Sequence, residues 1–515
     1  MYISTSLITA VLAVAVSAHP TEIAPILQTC KRDTKIWSFN SLPVASSLDR
    51  RDVPVDSFFG TPNTTPAVFK ANPKIGPPGI GRTFKESAHF RVYDALSEAQ
   101  ATKTLAMMEA AYDCFVNDMK FRTPGLSYNA KTDEGYEGPF YKENIFSKAD
   151  IPGAIGVMNT DGTSGLSYLQ IQSDQLHRAA VSVHEYGHAL TYHEKGWVDQ
   201  GNTGCFWEPI AEWFADFFMT SDICAAARTR GNQPVGETNI NFDKVISGSP
   251  AVMVDGTLGK SNYYQAWPFF TYITNNPDEI EGLGKFAIRN LFRKFKPGSE
   301  ETPFHAISYI TQTPVREIVA RYWARMAFVD IGHPQAAALF EKQRSTLNYA
   351  NLDGSAGTYK PKPARMPKYF GANIIPLRTT GGKTKRATNN EPKAKKPKGS
   401  KGTPSKAPES TTTTAKGETG KQTKGGTGGT GGTIGVTITS RKPFIATLVV
   451  KTKAGAVSYV ACPEGACTAT TVAGDEAMLV IVNAPNELYK YNGFAISGVV
   501  AEGLDYVLKL TGATA

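Results

Sequence analysis

The sequence predicts an α+β protein: an N-terminal mixed sheet, a helical half after it, and a small C-terminal antiparallel β-sandwich. Three observations predict it. Residues 81–378 hold short strand-like runs followed by long apolar helical stretches, over enough length to bury a full core. Residues 434–515 alternate apolar and polar residues in short runs broken by Gly, Pro and Asn. Between them, 379–433 is rich in Lys, Gly and Thr and almost free of apolar side chains, the composition of a disordered linker.

In chain order, Met1–Ala18 has an apolar centre and a Val16-Ser17-Ala18 end suited to signal peptidase. Residues 19–80 are Pro-rich with basic pairs at Lys31-Arg32 and Arg50-Arg51, which reads as a propeptide or an N-terminal arm. Asn63-Thr64-Thr65 is the one glycosylation sequon. A strand is expected at Phe90–Tyr93, a helix over Glu98–Val116, and strands near 152–172. A helix from about Ser173-Asp174 to Lys195-Gly196 follows, then mainly helices to about Leu347. No later run approaches the roughly twenty apolar residues of a membrane span, and the polar end Leu510–Ala515 excludes a lipid-anchor tail. The expected product is secreted, extracellular and monomeric, with no membrane partner.

Six cysteines follow the leader: Cys30, Cys114, Cys205, Cys224, Cys462 and Cys467. An even count in an exported chain points to disulfides. Cys462–Cys467 is the expected local bridge, and Cys205–Cys224 is a second suggestion. The net charge of +9 invites an acidic partner until it is located. Twelve Lys/Arg against three Glu between Thr379 and Thr433 account for the whole excess, so the globular parts are neutral. Nucleic-acid binding loses its support.

The chemistry sits at His184-Glu185-Tyr186-Gly187-His188. On a helix, positions i and i+4 share a face, so both imidazoles reach one metal ion while Glu185 stands ready to take a proton from water. Apolar neighbours on both sides make the helix a buried one, where two histidines and a glutamate need polar partners. A catalytic zinc needs a third protein ligand. Glu194 has metzincin spacing, but Thr191 replaces the glycine of that motif. The next apolar run, Cys205–Phe218, carries Glu208, Glu212 and Asp216 at i, i+4 and i+8.

Here the chain resembles the gluzincins, HExxH peptidases whose third ligand is a glutamate on a later helix. Nineteen residues separate His188 from Glu208, and Glu208-Pro209-Ile210-Ala211-Glu212-Trp213 is similar to their E-G-x-A-x-[YFW] signature, with Pro209 for Gly. The proline sets the helix start at about Glu208. The resemblance implies a zincin-like domain with Zn2+ on His184, His188 and Glu208, and Glu212 holding a ligand histidine by its other nitrogen. The competing assignment takes Glu212 as ligand with Asp216 behind it. It also implies a substrate loop and edge strand around Gly156–Asn159 and Gly165–Tyr168, and an oxyanion-stabilising Tyr263, with Tyr264 as the alternative. The loop lacks the glutamate that captures a free N-terminus in aminopeptidases. From about residue 84 to Ile374–Leu377 the wording also resembles a group of secreted, mostly fungal proteins described as metallopeptidases, which adds no substrate.

The expectation is therefore a zinc-dependent peptidase acting on a peptide or protein substrate, with Glu185 and Tyr263 catalytic. A non-peptidase zinc hydrolase on the same scaffold is the alternative. A matrix-binding protein with a structural metal site fits less well, because such a site has no use for Glu185.

Overall fold

The computed structural model describes residues 65–77, 83–130, 138–257, 262–380 and 430–515, with the backbone alone at 262 and 263. The expected signal peptide, most of the pro-segment, Cys30, Asn63 and the body of the Lys-rich linker lie outside the described residues.

The fold is α+β: an N-terminal mixed sheet, a helical middle and two C-terminal antiparallel sheets. The mixed sheet comprises β1 (Phe84–Glu86), β2 (Phe90–Tyr93), β3 (Glu143–Lys148), β4 (Gly156–Thr160) and β5 (Ser167–Gln172), in the order β1-β2-β3-β5-β4. β2, β3 and β5 run parallel, while β1 and β4 are antiparallel edges. α1 (Glu98–Tyr112) lies in the β2–β3 crossover and starts on Ser97, whose side chain accepts from the Gln100 amide. A π-helical turn, Asp113–Asp118, follows it and takes the place of the last α-turn expected there.

α2 (Ala179–His193) packs beneath this sheet against β4 and β5, and α3 (Gly204–Thr220) packs alongside α2. α2 begins later than Ser173-Asp174, because the Ser173 amide bonds back to Lys148 O and 175–178 are taken up in turns. α3 begins earlier than Glu208, so Pro209 falls inside the helix. The helical middle continues with α4 (Ala225–Arg230), α5 (Phe242–Val245), α6 (Asn262–Gln265) and α7 (Trp267–Asn275). It ends with α8 (Ala287–Lys294), α9 (Pro303–Ile307), α10 (Val315–Met326) and α11 (Pro334–Gln343).

Three strands precede the linker: β6 (Leu352–Ser355), β7 (Thr358–Pro361) and β8 (Ala372–Thr379). After it come β9 (Gly432–Ser440), β10 (Phe444–Lys451), β11 (Val457–Ala461), β12 (Ala466–Thr471) and β13 (Glu476–Asn483). The chain closes with α12 (Gly498–Ala501), β14 (Tyr506–Thr511) and β15 (Ala513–Thr514). The two sheets are β11-β10-β13-β8-β15 and β12-β9-β14-β7-β6, so strands from both sides of the linker share each sheet. Ile375, Ile434, Leu448, Leu479, Ile481 and Leu508 fill the space between the sheets.

The opposite face of β10, β13 and β8 is also buried. Val449, Met478, Val480, Val482 and Ile374 belong to the same core as the helices, with α10 against β10 and β13. That is why β13 reads as an unbroken apolar run, Ala477–Val482, rather than alternating. Polar ties flank the contact: Tyr459 Oη donates to Asp330 at 2.8 Å, and Arg344 meets Glu476 at 2.6 Å. The ends of the linker emerge together, since β8 pairs with β15 at Thr379–Ala513 and β9 pairs with β14 at Gly435–Thr511.

Two disulfides are present among the described residues. Cys462–Cys467 forms as expected, whereas Cys224 pairs with Cys114 instead of Cys205, which is a buried free thiol. The reason is length. Cys205 and Cys224 lie beyond opposite ends of most of α3, a 17-residue helix about 25 Å long, far outside bridging distance.

Two outcomes are expected. Removing Cys114–Cys224, which spans 110 residues, with a double Ala variant should cost about 3–5 kcal/mol in urea unfolding. Replacing 381–429 by a short Gly/Ser bridge should leave a single calorimetric transition near the wild-type temperature, since the linker ends already sit together. Two separate transitions would mean that the sheets do not unfold with the helices.

Candidate metal centre

The centre is built where α2 and α3 touch. Gly187 permits the approach: a Cβ there would lie 2.9 Å from the Phe214 Cβ. The contact carries His184 and His188, one turn apart on α2, against Glu208 on α3. All three are buried. His184 Nε2 and His188 Nε2 stand 3.1 Å apart; Glu208 Oε2 is 3.4 Å from His184 Nε2, and Glu208 Oε1 is 3.5 Å from His188 Nε2. Ligands held 2.0–2.2 Å from a tetrahedral zinc ion stand about 3.3–3.6 Å apart at its corners. The three residues fit such an ion.

Their hydrogen bonding points the same way. Neither oxygen of Glu208 has a hydrogen-bond partner, and no side chain bonds either oxygen of Glu185. Buried polar atoms rarely go unpaired, so a bare carboxylate beside two imidazoles suits a cation. Burial holds the His184 ring well below its usual range, helped by His188, and lowers His188 to about 3. Both rings are therefore neutral, as ligands must be. Burial also drives Glu208 well above the carboxylate range, with Glu185 and Glu212 adding repulsion. A divalent ion removes that penalty, because it neutralises the carboxylate in place.

Glu212 Oε1 lies 3.6 Å from His184 Nδ1, on the far side of the ring from Glu208. Burial raises Glu212 to about 8, with Asp216 adding to the shift and Lys244 opposing it. Asp216 is committed elsewhere. It accepts from Thr238 Oγ1 at 2.8 Å, the Asn239 amide at 2.7 Å and His333 Nε2 at 2.8 Å, which ties α3 to the start of α11. Glu194 is likewise taken, by the Arg122 amide at 2.9 Å and Arg293 Nη2 at 3.1 Å.

Glu185 is completely buried and faces β4. A Cβ on Gly156 would come within 2.7 Å of Glu185 Oε1, so only glycine lets the strand pass so close. Burial pushes Glu185 well above its normal range; the Met158 amide opposes this and Glu212 reinforces it. α6 starts at Asn262, but the side chain of Tyr263 lies outside the described residues; Tyr264 is half-buried.

One buried cluster escaped the sequence reading. Ser167 Oγ on β5 donates to Glu143 Oε2 on β3 at 2.9 Å and lies 3.0 Å from His193 Nε2, at the end of α2. His193 Nδ1 is 3.0 Å from Leu126 O. Burial raises Glu143 to about 8, partly offset by the Ser167 bond. These residues come from four separate segments, so no spacing in the sequence announces them.

A family model matches residues 91–390, more than half of the chain, and the chain belongs to that family, described as a family of unknown function (DUF6055). No curated protein and no solved structure matches it. The two disulfides suggest an oxidising compartment. Among the described residues no helix is long and apolar enough to cross a membrane.

Two measurements probe the centre. Metal analysis should find about one divalent ion per chain, and a chelator should lower the unfolding temperature, because the ion binds the folded chain alone. Glu208→Ala should abolish that chelator effect. The second concerns Glu143, which keeps its proton in the folded chain between 4.5 and about 8 while the unfolded chain releases it. Its contribution is present below pH 4.5 and is lost as pH rises through about 8. Glu143→Gln should therefore gain stability on the wild type from pH 5 to pH 8 in urea unfolding. A constant difference across that window would refute the raised carboxyl.

Proposed function

We propose that this member of the DUF6055 family is a secreted zinc-dependent peptidase in which His184, His188 and Glu208 hold the metal and Glu185 is the general base. The observation that carries the peptide reading is the position of β4. It is an edge strand, and among the described residues nothing pairs with its outer side. The bonds Gln172 N to Ile155 O and Asp161 N to Leu166 O commit residues 155 and 161 to β5. By the two-residue period of a strand, the N–H and C=O groups of Gly156, Met158 and Thr160 then turn outward. An extended peptide adding to that edge would run its carbonyls past Glu185 and the histidine pair.

Zinc bound there supplies Lewis acidity toward a carbonyl oxygen and acidifies water at neutral pH. Glu185 takes the proton of the attacking water and returns it to the leaving nitrogen. Its apolar burial suits the task, because a carboxyl raised above its normal range holds a proton more readily. Glu212 orients His184 through Nδ1, and Tyr263 is assigned to the oxyanion. The segment 155–160 holds no acidic residue to bind a free N-terminus, which favours endopeptidase action.

Substitution separates these roles. Glu185→Gln should keep the metal while peptide turnover falls by about two or more orders of magnitude. Glu208→Ala should lose both. Glu212→Ala should weaken metal binding by roughly 10- to 100-fold and keep activity at saturating zinc. Turnover would be followed on a proteome-derived peptide library. A wild-type protein that binds zinc yet cleaves no peptide, while hydrolysing an ester or small amide, would transfer the site to non-peptide substrates.

A further inference from the structure

Glu208 lies one turn into α3, next to Pro209, and the helix is intrinsically weak there. Pro209 has no amide hydrogen, so the Cys205 carbonyl loses the donor that would close this turn. A turn lacking that bond needs outside support to hold a ligand in place.

That support comes from the far end of the chain. The loop 484–497, between β13 and α12, leaves the C-terminal sheets and crosses to α3. Gly256 N donates to Gly493 O at 2.9 Å, and Tyr491 Oη donates to Val254 O at 3.2 Å. Three glycines allow the fit. A Cβ on Gly204 would lie 2.8 Å from the Phe494 ring, and one on Gly493 would lie 2.0 Å from Cys205 Sγ. A Cβ on Gly256 would meet Cys205 Cβ at 2.6 Å and Phe494 at 3.0 Å. The Phe494 ring thus rests on α3 at Gly204. Gly204 and Glu208 are i and i+4, so the ring covers the helix face that presents the carboxylate one turn later.

We infer that the loop 484–497 is a latch, with Phe494 and Gly493 as positioning residues that hold the Pro209-weakened turn so that Glu208 meets His184 and His188. The C-terminal sheets are then a working part of the metal centre and not a detachable accessory. The inference rests on the metal centre described above, and its test can fail separately from it.

The test uses the full chain, stripped of metal and titrated with Co2+, which reports affinity and, through its visible absorption, ligand geometry. Phe494→Ala should weaken Co2+ binding by about 10-fold or more and change the absorption bands. Phe494→Leu, which refills the notch, should restore both. Tyr491→Phe removes only the bond to Val254 and should cost roughly three- to fivefold, which keeps the question open to measurement if the Ala variant fails to fold. Phe444→Ala, a half-buried ring elsewhere in the C-terminal sheets, should bind as the wild type does. Wild-type affinity and spectra in both Phe494→Ala and Tyr491→Phe would overturn the latch alone. An equal loss in Phe444→Ala would overturn it too, since general destabilisation would then account for the effect. A wild-type chain that binds no Co2+ would overturn the metal centre, and the latch with it.

Discussion

Two buried imidazoles and the carboxylates of Glu185 and Glu208 share one apolar interior, and no side chain hydrogen-bonds either carboxylate. Left uncompensated, such a group is among the costliest arrangements a core can hold. A divalent cation turns the liability into a cohesive contact, because one ion satisfies ligands from two helices at once. The packing of α2 on α3 is what brings these groups together. Gly187 gives the helices their close approach, and the candidate ligand atoms then stand 3.1, 3.4 and 3.5 Å apart, near the edge lengths of a zinc tetrahedron.

The surrounding fold reads as a series of restraints on those two helices. The end of α2 is fixed to the sheet by His193 with Ser167 and Glu143, and to α8 by Glu194 with Arg293. α3 is held at its middle by Asp216 with His333 and beyond its end by the Cys114–Cys224 bridge. Its first turn, where a proline has removed a backbone bond, is met by Phe494 and Gly493. Each restraint acts on a helix rather than on a ligand. Ligand geometry follows from backbone placement, as it does wherever a site is built on rigid elements.

This arrangement also explains why the C-terminal sheets cannot be a module on a tether. β10, β13 and β8 are apolar on both faces, one turned to the second sheet and the other to the helices. Separating them would expose Val449, Met478, Val480 and Val482 to water, at about 25 cal/mol per Å² of apolar surface. The basic linker leaves one strand end and returns beside it, so it sets no distance between bodies.

By itself the sequence determined the fold class, the pentapeptide of the candidate metal centre, the glutamate helix and the local Cys462–Cys467 bridge. Each is written in short-range spacing: i and i+4 on a helix, period two in a strand, four residues between cysteines. Only the tertiary structure decided the rest. Nineteen residues of spacing left Glu208 and Glu212 both open, and the side-by-side packing of α2 and α3 brought Glu208 to the histidine pair. Helix length, visible once α3 ran from Gly204 to Thr220, took Cys205 out of reach of Cys224 and gave the bridge to Cys114. Glu143, Ser167, His193, Gly256, Gly493 and Phe494 join no local pattern, because each meets its partner across tens to hundreds of residues. Such contacts are chosen by what the folded core leaves unfilled or unpaired, and a linear pattern carries no record of that.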